Sequence, residues 1–224
     1  MCYSRSQLVI IMSSDCSTEN STREIASFED AAKFHGHICP GLTIGYIAAK
    51  AGIEKLETER DIDEELVTIV ENDACGVDAV QVLTGCTIGK GNLIYKDHAK
   101  QVFTFICRES KKAVRVALKA SFNIDNIDPK VSELRPKVIS GTATEEEEKE
   151  FSERMNGISV TMRNTPVEEM FEVKFVDAEI PGKARIFNSV QCAKCGEMMA
   201  ESRARVQNGE YVCIPCYEEY NRGW

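Results

Sequence analysis

The stretch His35-Gly-His37-Ile-Cys39-Pro40-Gly41 holds two of the three histidines of the chain and a cysteine, spaced two apart. Residues two apart in an extended segment project to one side, so His35, His37 and Cys39 can converge on one point. Gly36 leaves the backbone free to bend, and Pro40 suits the first turn of a helix. Cys39 then stands at a helix N-terminus, where the dipole favours a thiolate. That environment suits a metal ligand or a reactive thiol. Most isolated Cys and His residues only pack; here the spacing, the glycine and the proline together argue for a site.

Cys75 and Cys86 extend the set. Asp73-Ala-Cys75-Gly76-Val-Asp78-Ala-Val-Gln81-Val-Leu-Thr-Gly85 reads as a helix, with Asp73 as N-cap, Cys75 in the first turn and Gly85 as the stop. The reading is a core site of His37 and Cys39 with Cys75 or Cys86, and His35 as an alternate ligand. Mixed nitrogen and sulfur ligands suit a transition metal with an open position. The rival reading makes Cys39 a nucleophile or redox thiol with His37 as its base, Asp73 and Asp78 being candidates to orient it.

Gly85-Cys86-Thr-Ile-Gly89-Lys90-Gly91-Asn92 invites a phosphate-loop reading. The spacing between its glycines is one residue short, and Gly91 stands where Ser or Thr is needed. An anion-binding turn remains, in which Lys90 and the Gly89/Gly91 backbone meet a phosphate or carboxylate of a cofactor. A tight turn with a solvated lysine is the plain alternative.

Cys192-Ala-Lys-Cys195 and Cys213-Ile-Pro-Cys216 carry the strongest signal. Two such knuckles complete a tetrahedral sulfur shell, with Gly196 and Asn208-Gly209 supplying the turns of a zinc ribbon. Zn²⁺ is the reading, with iron as its competitor. A closed four-sulfur shell makes the ion structural.

Several elements must position these groups. Ser27 reads as the N-cap of a helix carrying Phe28, Ala31, Ala32 and Phe34, which delivers the chain to His35. Leu42–Lys50 reads as the next helix, closely packed through Gly45, Ala48 and Ala49. Glu54–Glu65 is a charged connection and Leu66–Val70 a strand. Gly76 costs helix stability, so something must approach it closely. Leu93–Tyr95, Gln101–Cys107 and Ala113–Lys119 read as three successive antiparallel strands, with His98 on the surface and Cys107 packed. Thr144 and Glu147 form a capping box opening a helix to about Asn164. Its apolar residues, Phe151, Met155, Ile158 and Met162, make a narrow seam of coiled-coil width. Val167–Val176 reads as an edge strand, and Pro181-Gly182 breaks the chain before the cysteine unit.

The whole chain has 224 residues, of which 43% are hydrophobic and 28% charged, the balance of a globular protein. Its formal net charge of −9 opposes steering toward nucleic acid or an anionic membrane. From Val190 onward Lys194, Arg203, Arg205 and Arg222 face Glu197, Glu201, Glu210, Glu218 and Glu219, so no basic stripe marks the ribbon. The apolar run Leu8–Met12 is too short for a signal core or a membrane span. Residues 1–22 read as a disordered tail, or as an over-extended start with Met12 as initiator; Cys2 and Cys16 receive no role. Ten cysteines without a secretory signal place the chain in a reducing compartment, the cytoplasm. The expected fold is α+β: an antiparallel-rich sheet with helices over residues 23–182, then a small zinc ribbon over 183–224.

Phe34-His-Gly-His-Ile-Cys-Pro-Gly41, Asp73-Ala-Cys-Gly-Val-Asp-Ala-Val-Gln81 and Thr84-Gly-Cys-Thr-Ile-Gly-Lys-Gly-Asn-Leu93 together resemble the FmdE family of formylmethanofuran dehydrogenase proteins, over roughly residues 28–175. The terminal cysteines resemble those of its subgroup with a C-terminal zinc ribbon. The resemblance implies an α+β core, a homodimer, and association with molybdenum or tungsten formylmethanofuran dehydrogenase operons of methanogens and relatives. It does not imply that this chain oxidises formylmethanofuran.

Three functions compete. The first is an accessory metal- or cofactor-binding protein, working with dehydrogenase subunits or their maturation machinery. The second is a Cys-dependent enzyme or redox protein. The third is a metal-sensing regulator or adaptor whose ribbon contacts protein. The number of soft ligands favours the first. A homodimer is expected through the Thr144–Asn164 seam and the ribbon.

Overall fold

A computed structural model describes residues 25–223. The readings of residues 1–22, including Cys2, Met12 and Cys16, lie outside the described residues. Two compact units divide between Gly182 and Lys183.

The first unit begins with α1 (Phe28–His35) and α2 (Pro40–Leu56). Ser27 and Asp30 form the capping box of α1, each side chain reaching the other's backbone N–H. Cys39 caps α2 and Pro40 occupies its first position. Helix α2 runs six residues beyond the expected Lys50, because Ala51, Gly52, Ile53 and Leu56 are also buried. It is apolar on nearly every side, as a central helix must be. Leu42, Ala48, Ala49 and Ile53 are almost wholly buried, and each large aliphatic contributes about 1.5–3 kcal/mol.

Strand β1 (Leu66–Val70) leads through α3 (Gly76–Thr84) to β2 (Leu93–Tyr95), then β3 (Val102–Cys107) and β4 (Ala113–Leu118). The sheet order is β2-β1-β3-β4-β5, with β5 spanning Phe171–Val176. All neighbours are antiparallel except β1 and β2, which run parallel with Thr68 opposite Leu93. This corrects the expectation of three consecutive antiparallel strands. Helix α3 carries the chain back over the sheet, so β2 joins the outer edge of β1 and never meets β3.

Helix α3 starts at Gly76 and not at Asp73: its N-cap is Cys75, which makes no side-chain cap hydrogen bond, and Asn72 Oδ1 accepts the Ala74 N–H at 3.1 Å in the turn before it. Glycine at 76 and 45 allows α2 and α3 to touch through their backbones. A Cβ on Gly45 would stand 2.0 Å from the Gly76 carbonyl oxygen. This contact sets the distance between the N-terminal ends of α2 and α3, and with it the distance from Cys39 to Cys75.

Helix α4 (Pro129–Ile139) has no counterpart in the sequence expectations; Pro136 inside it masks the pattern, although Asp128-Pro129 is an ordinary N-cap and first turn. Helix α5 (Glu145–Asn164) carries the predicted capping box of Thr144 and Glu147. Its seam is spent within the chain: Ile158 and Met162 are buried in the main core, and Phe151 and Met155 pack against it. The seam is therefore corrected from a subunit interface to an internal contact, α5 lying on α2 and α4. A short helix α6 (Val167–Met170) replaces the start of the expected last strand.

The helices cover one sheet face, where Leu66, Val70, Phe103, Phe105, Val114, Val116 and Phe171 join the core. On the other face Val67, Ile106 and Ala113 form a smaller cluster with Ala178 and Ile180. A hollow of about 630 Å³ there holds Glu71, which takes His98 Nδ1 at 3.1 Å and Arg115 at 3.5 Å. Among the described residues its lining holds no cysteine, and it lies across the sheet from the helix starts that carry the thiols.

The second unit is built of two hairpins, β6 (Ser189–Gln191) with β7 (Met198–Ala200) and β8 (Arg205–Gln207) with β9 (Glu210–Val212). Asn208 and Gly209 take the left-handed conformations, φ 54° and 84°, that a two-residue hairpin turn demands. The architecture is thus a mixed α+β unit with a mostly antiparallel sheet, and a C-terminal unit whose four cysteines cluster as in a zinc ribbon.

Candidate metal centre

Helix α1 ends at His35 because Gly36 takes φ 94° and turns the chain away. Cys39 is extended, and its Sγ accepts the Leu42 N–H at 3.3 Å at the start of α2. Cys75 precedes α3. Three element ends thus bring His35, Cys39 and Cys75 together, their ligand atoms all within 4.8 Å of one another. Ligands on one tetrahedral zinc stand roughly 3.5–3.8 Å apart, so only a small contraction separates this arrangement from a bound shell.

Asp78 lies one helical turn beyond Cys75. Its carboxylate is 2.7 Å from His35 Nδ1, which fixes the ring and leaves Nε2 directed elsewhere. Nε2 is buried and has no hydrogen-bond partner among the described residues. A buried ring nitrogen without a partner is costly unless something else occupies it. A carboxylate on one imidazole nitrogen and a metal on the other is a recurrent arrangement of metal centres.

Of the two histidines, His35 and not His37 falls in the cluster with Cys39 and Cys75. The segment is not extended at His35, so the two-residue spacing does not aim His37 with it. His37 is exposed, and its ring lies tilted by 39° against that of His35 with centroids 4.4 Å apart. Cys86 is excluded from the cluster. The nine residues of α3, about 13.5 Å of rise, separate it from Cys75, and its Sγ is buried 3.4 Å from the Leu66 carbonyl. Burial pushes the Cys86 thiol up to about 11.

Lys90 is not available to an anion. Its ammonium is paired with the fully buried carboxylate of Asp61 and also donates to the Ile62 carbonyl at 3.2 Å. Asn92 donates to the same carboxylate at 2.8 Å, and Asp61 accepts the Leu66 N–H at 3.0 Å. The Lys90 turn therefore ties a loop to the start of β1. Gly91 closes the same turn, its N–H donating to the Ile88 carbonyl at 3.0 Å.

Burial raises the Cys39 thiol above its ordinary value, against the downward pull of the Leu42 N–H; neighbouring Cys75 raises it further. Here desolvation outweighs the helix N-terminus.

In the C-terminal unit Cys192, Cys195, Cys213 and Cys216 form a second group within 4.8 Å. Cys192 Sγ accepts the Cys213 N–H at 3.3 Å. The N–H groups of Cys195 and Cys213 bring the Cys192 thiol down to about 6, while Cys213 and Cys195 push that of Cys216 up to about 12. One cation among the four sulfurs relieves that conflict.

Comparison with known proteins follows the same division. A family model described as FmdE, molybdenum formylmethanofuran dehydrogenase operon, matches residues 34–172. A second, the prokaryotic dksA/traR C4-type zinc finger, matches residues 185–222. A curated relative from Archaeoglobus fulgidus, described as a probable S-adenosyl-L-methionine-binding protein, is 37% identical over 195 residues. The match takes in 85% of this chain but only 52% of that protein, so the chain spans about half of its relative. The crystal structure of a tungsten formylmethanofuran dehydrogenase FmdE-like protein from Syntrophus aciditrophicus aligns with a TM-score of 0.52 and 23% identity. The alignment covers 88% of this chain and 96% of that one, a likeness of fold.

Proposed function

The chain belongs to the FmdE family, and on that premise we propose that it is an accessory metal-binding protein of formylmethanofuran dehydrogenase systems. Cys39, Cys75 and His35 would hold a transition-metal ion. The observation that carries this reading is the buried, unpartnered His35 Nε2, on a ring oriented by Asp78 and clustered with the Cys39 and Cys75 sulfurs. Two sulfurs and one imidazole select zinc, nickel or cobalt over magnesium or calcium. Once bound, the ion would supply Lewis acidity and a coordination position open to exchange.

The protein's own residues prepare this. Asp78 keeps Nδ1 of His35 engaged, so that only Nε2 can serve as a ligand. Leu42 N–H stabilises charge on Cys39 as it loses its proton. Gly45 and Gly76 bring the two thiol-bearing ends together.

The C-terminal cysteines would hold a structural zinc, and the ribbon's exposed Tyr211, Ile214 and Tyr220 suit contact with protein. Partners in this reading are a second copy of the chain and the dehydrogenase subunits or their maturation machinery. No described helix is long and apolar enough to cross a membrane. The free thiols of all described cysteines suit a reducing cytoplasm.

Metal content of the full chain after incubation with Zn²⁺, Ni²⁺ or Co²⁺ tests the proposal. Two ions per chain in the wild type and one in Cys75→Ser are expected. One ion in both would reject the core site.

A further inference from the structure

A cavity of about 470 Å³ opens beside the metal centre, with His35 and Cys75 in its wall. That volume suits a ring-sized molecule. Val77, Ile88 and Leu93 line it, and Tyr95 adds an aromatic face. Among the described residues its charged groups are Asp73 and Asp78, and no lysine or arginine lines it. Asp78 is engaged by His35, whereas Asp73 has neither hydrogen bond nor ion pair among the described residues. The Tyr95 phenol is held above its ordinary value, first by burial and then by Asp97 and Asp73, so acidic groups crowd this side of the molecule. The one cation that sequence placed near here, Lys90, is committed to Asp61.

We propose that this cavity takes a small heterocyclic molecule bearing a positively charged amine and rejects carboxylates and phosphates of the same size. The apolar walls and Tyr95 receive the ring, Asp73 receives the amine, and a ring nitrogen reaches toward Cys75 and His35. The proposal rests on the metal reading only for that last contact. The charge preference belongs to Asp73, with no opposing cation among the described lining residues.

Two pyridines separate the elements of the claim: 4-(aminomethyl)pyridine, a cation at neutral pH, and pyridine-4-carboxylate, an anion with the same ring nitrogen. Both are titrated calorimetrically into the full chain, once zinc-loaded and once stripped at the core site. The amine is expected to bind at least about tenfold more tightly than the carboxylate. Asp73→Asn should reduce that ratio to about threefold or less without altering metal content. In the stripped protein the amine should weaken yet keep its lead over the carboxylate. Equal affinities, a tighter carboxylate, binding of neither probe, or an unchanged ratio in Asp73→Asn would overturn the proposal. A core site that never loads while the amine keeps its preference would overturn the metal reading and leave the cavity assignment standing.

Discussion

His35 and Asp78 lie 43 residues apart in the chain and 2.7 Å apart in the fold, one closing α1 and the other in the first turn of α3. The pair commits one imidazole nitrogen and thereby determines what the other can do. Asp78→Asn keeps the shape of the side chain and removes its charge. It should lower core metal affinity about 10–100-fold while leaving the ribbon ion in place. Competition with a chromophoric chelator measures this. An unchanged affinity would show that Asp78 has no part in orienting His35.

The Gly45–Gly76 contact should be intolerant of a single methyl group. A Cβ at Gly45 meets the Gly76 backbone at 2.0–2.5 Å, and backbone cannot step aside as a side chain can. Gly45→Ala should cost about 3 kcal/mol or more in urea unfolding and also weaken the core metal site. Gly89→Ala is the control, since a Cβ there meets nothing within 4 Å. Similar stability of the two variants would rule out a close approach that matters to the fold.

Asp61 offers a prediction about pH. Burial raises its pKa, but the Leu66 N–H and Lys90 outweigh that and hold it below the usual carboxylate value. Its contribution is complete above the unfolded value of about 3.9 and is lost as pH falls through the lower folded value. At neutral pH Asp61→Ala, which strands Lys90 and Asn92, should cost about 3 kcal/mol. The gap between variant and wild type should narrow below about pH 4. Urea melts at pH 7 and pH 3 measure both; a gap that widens in acid would contradict the assignment.

The two ends of α3 show how far sequence alone reached. Cys75, Asp78 and Gly85 were legible as parts of one helix, and helix arithmetic already separates Cys75 from Cys86. What local patterns could not show was which histidine turns inward. That depends on Gly36 closing α1 immediately after His35, and on Asp78 arriving from another element. The capping boxes at Ser27 and Thr144 were readable because each is complete within four residues. The parallel placement of β2 was not, because strand pairing is decided by packing across the chain. Lys90 misled for a related reason: its partner Asp61 lies 29 positions away, in a loop with no pattern of its own.

The four-cysteine unit should depend on its ion. Its hairpins bury little apart from Cys192 and Val212, too small an apolar core to fold unaided. Cys213→Ala should lose about one zinc per chain and become protease-sensitive after Ile180. Retained zinc and unchanged proteolysis would contradict a structural metal there.

Anomalous scattering from a crystal of the full chain loaded with Co²⁺ or Zn²⁺ bears most directly on the core centre. A peak is expected within bonding distance of Cys39 Sγ, Cys75 Sγ and His35 Nε2, with Nδ1 still on Asp78 and Cys86 uninvolved. A peak confined to Cys192, Cys195, Cys213 and Cys216, or one bound by His37 in place of His35, would contradict a core centre of this kind.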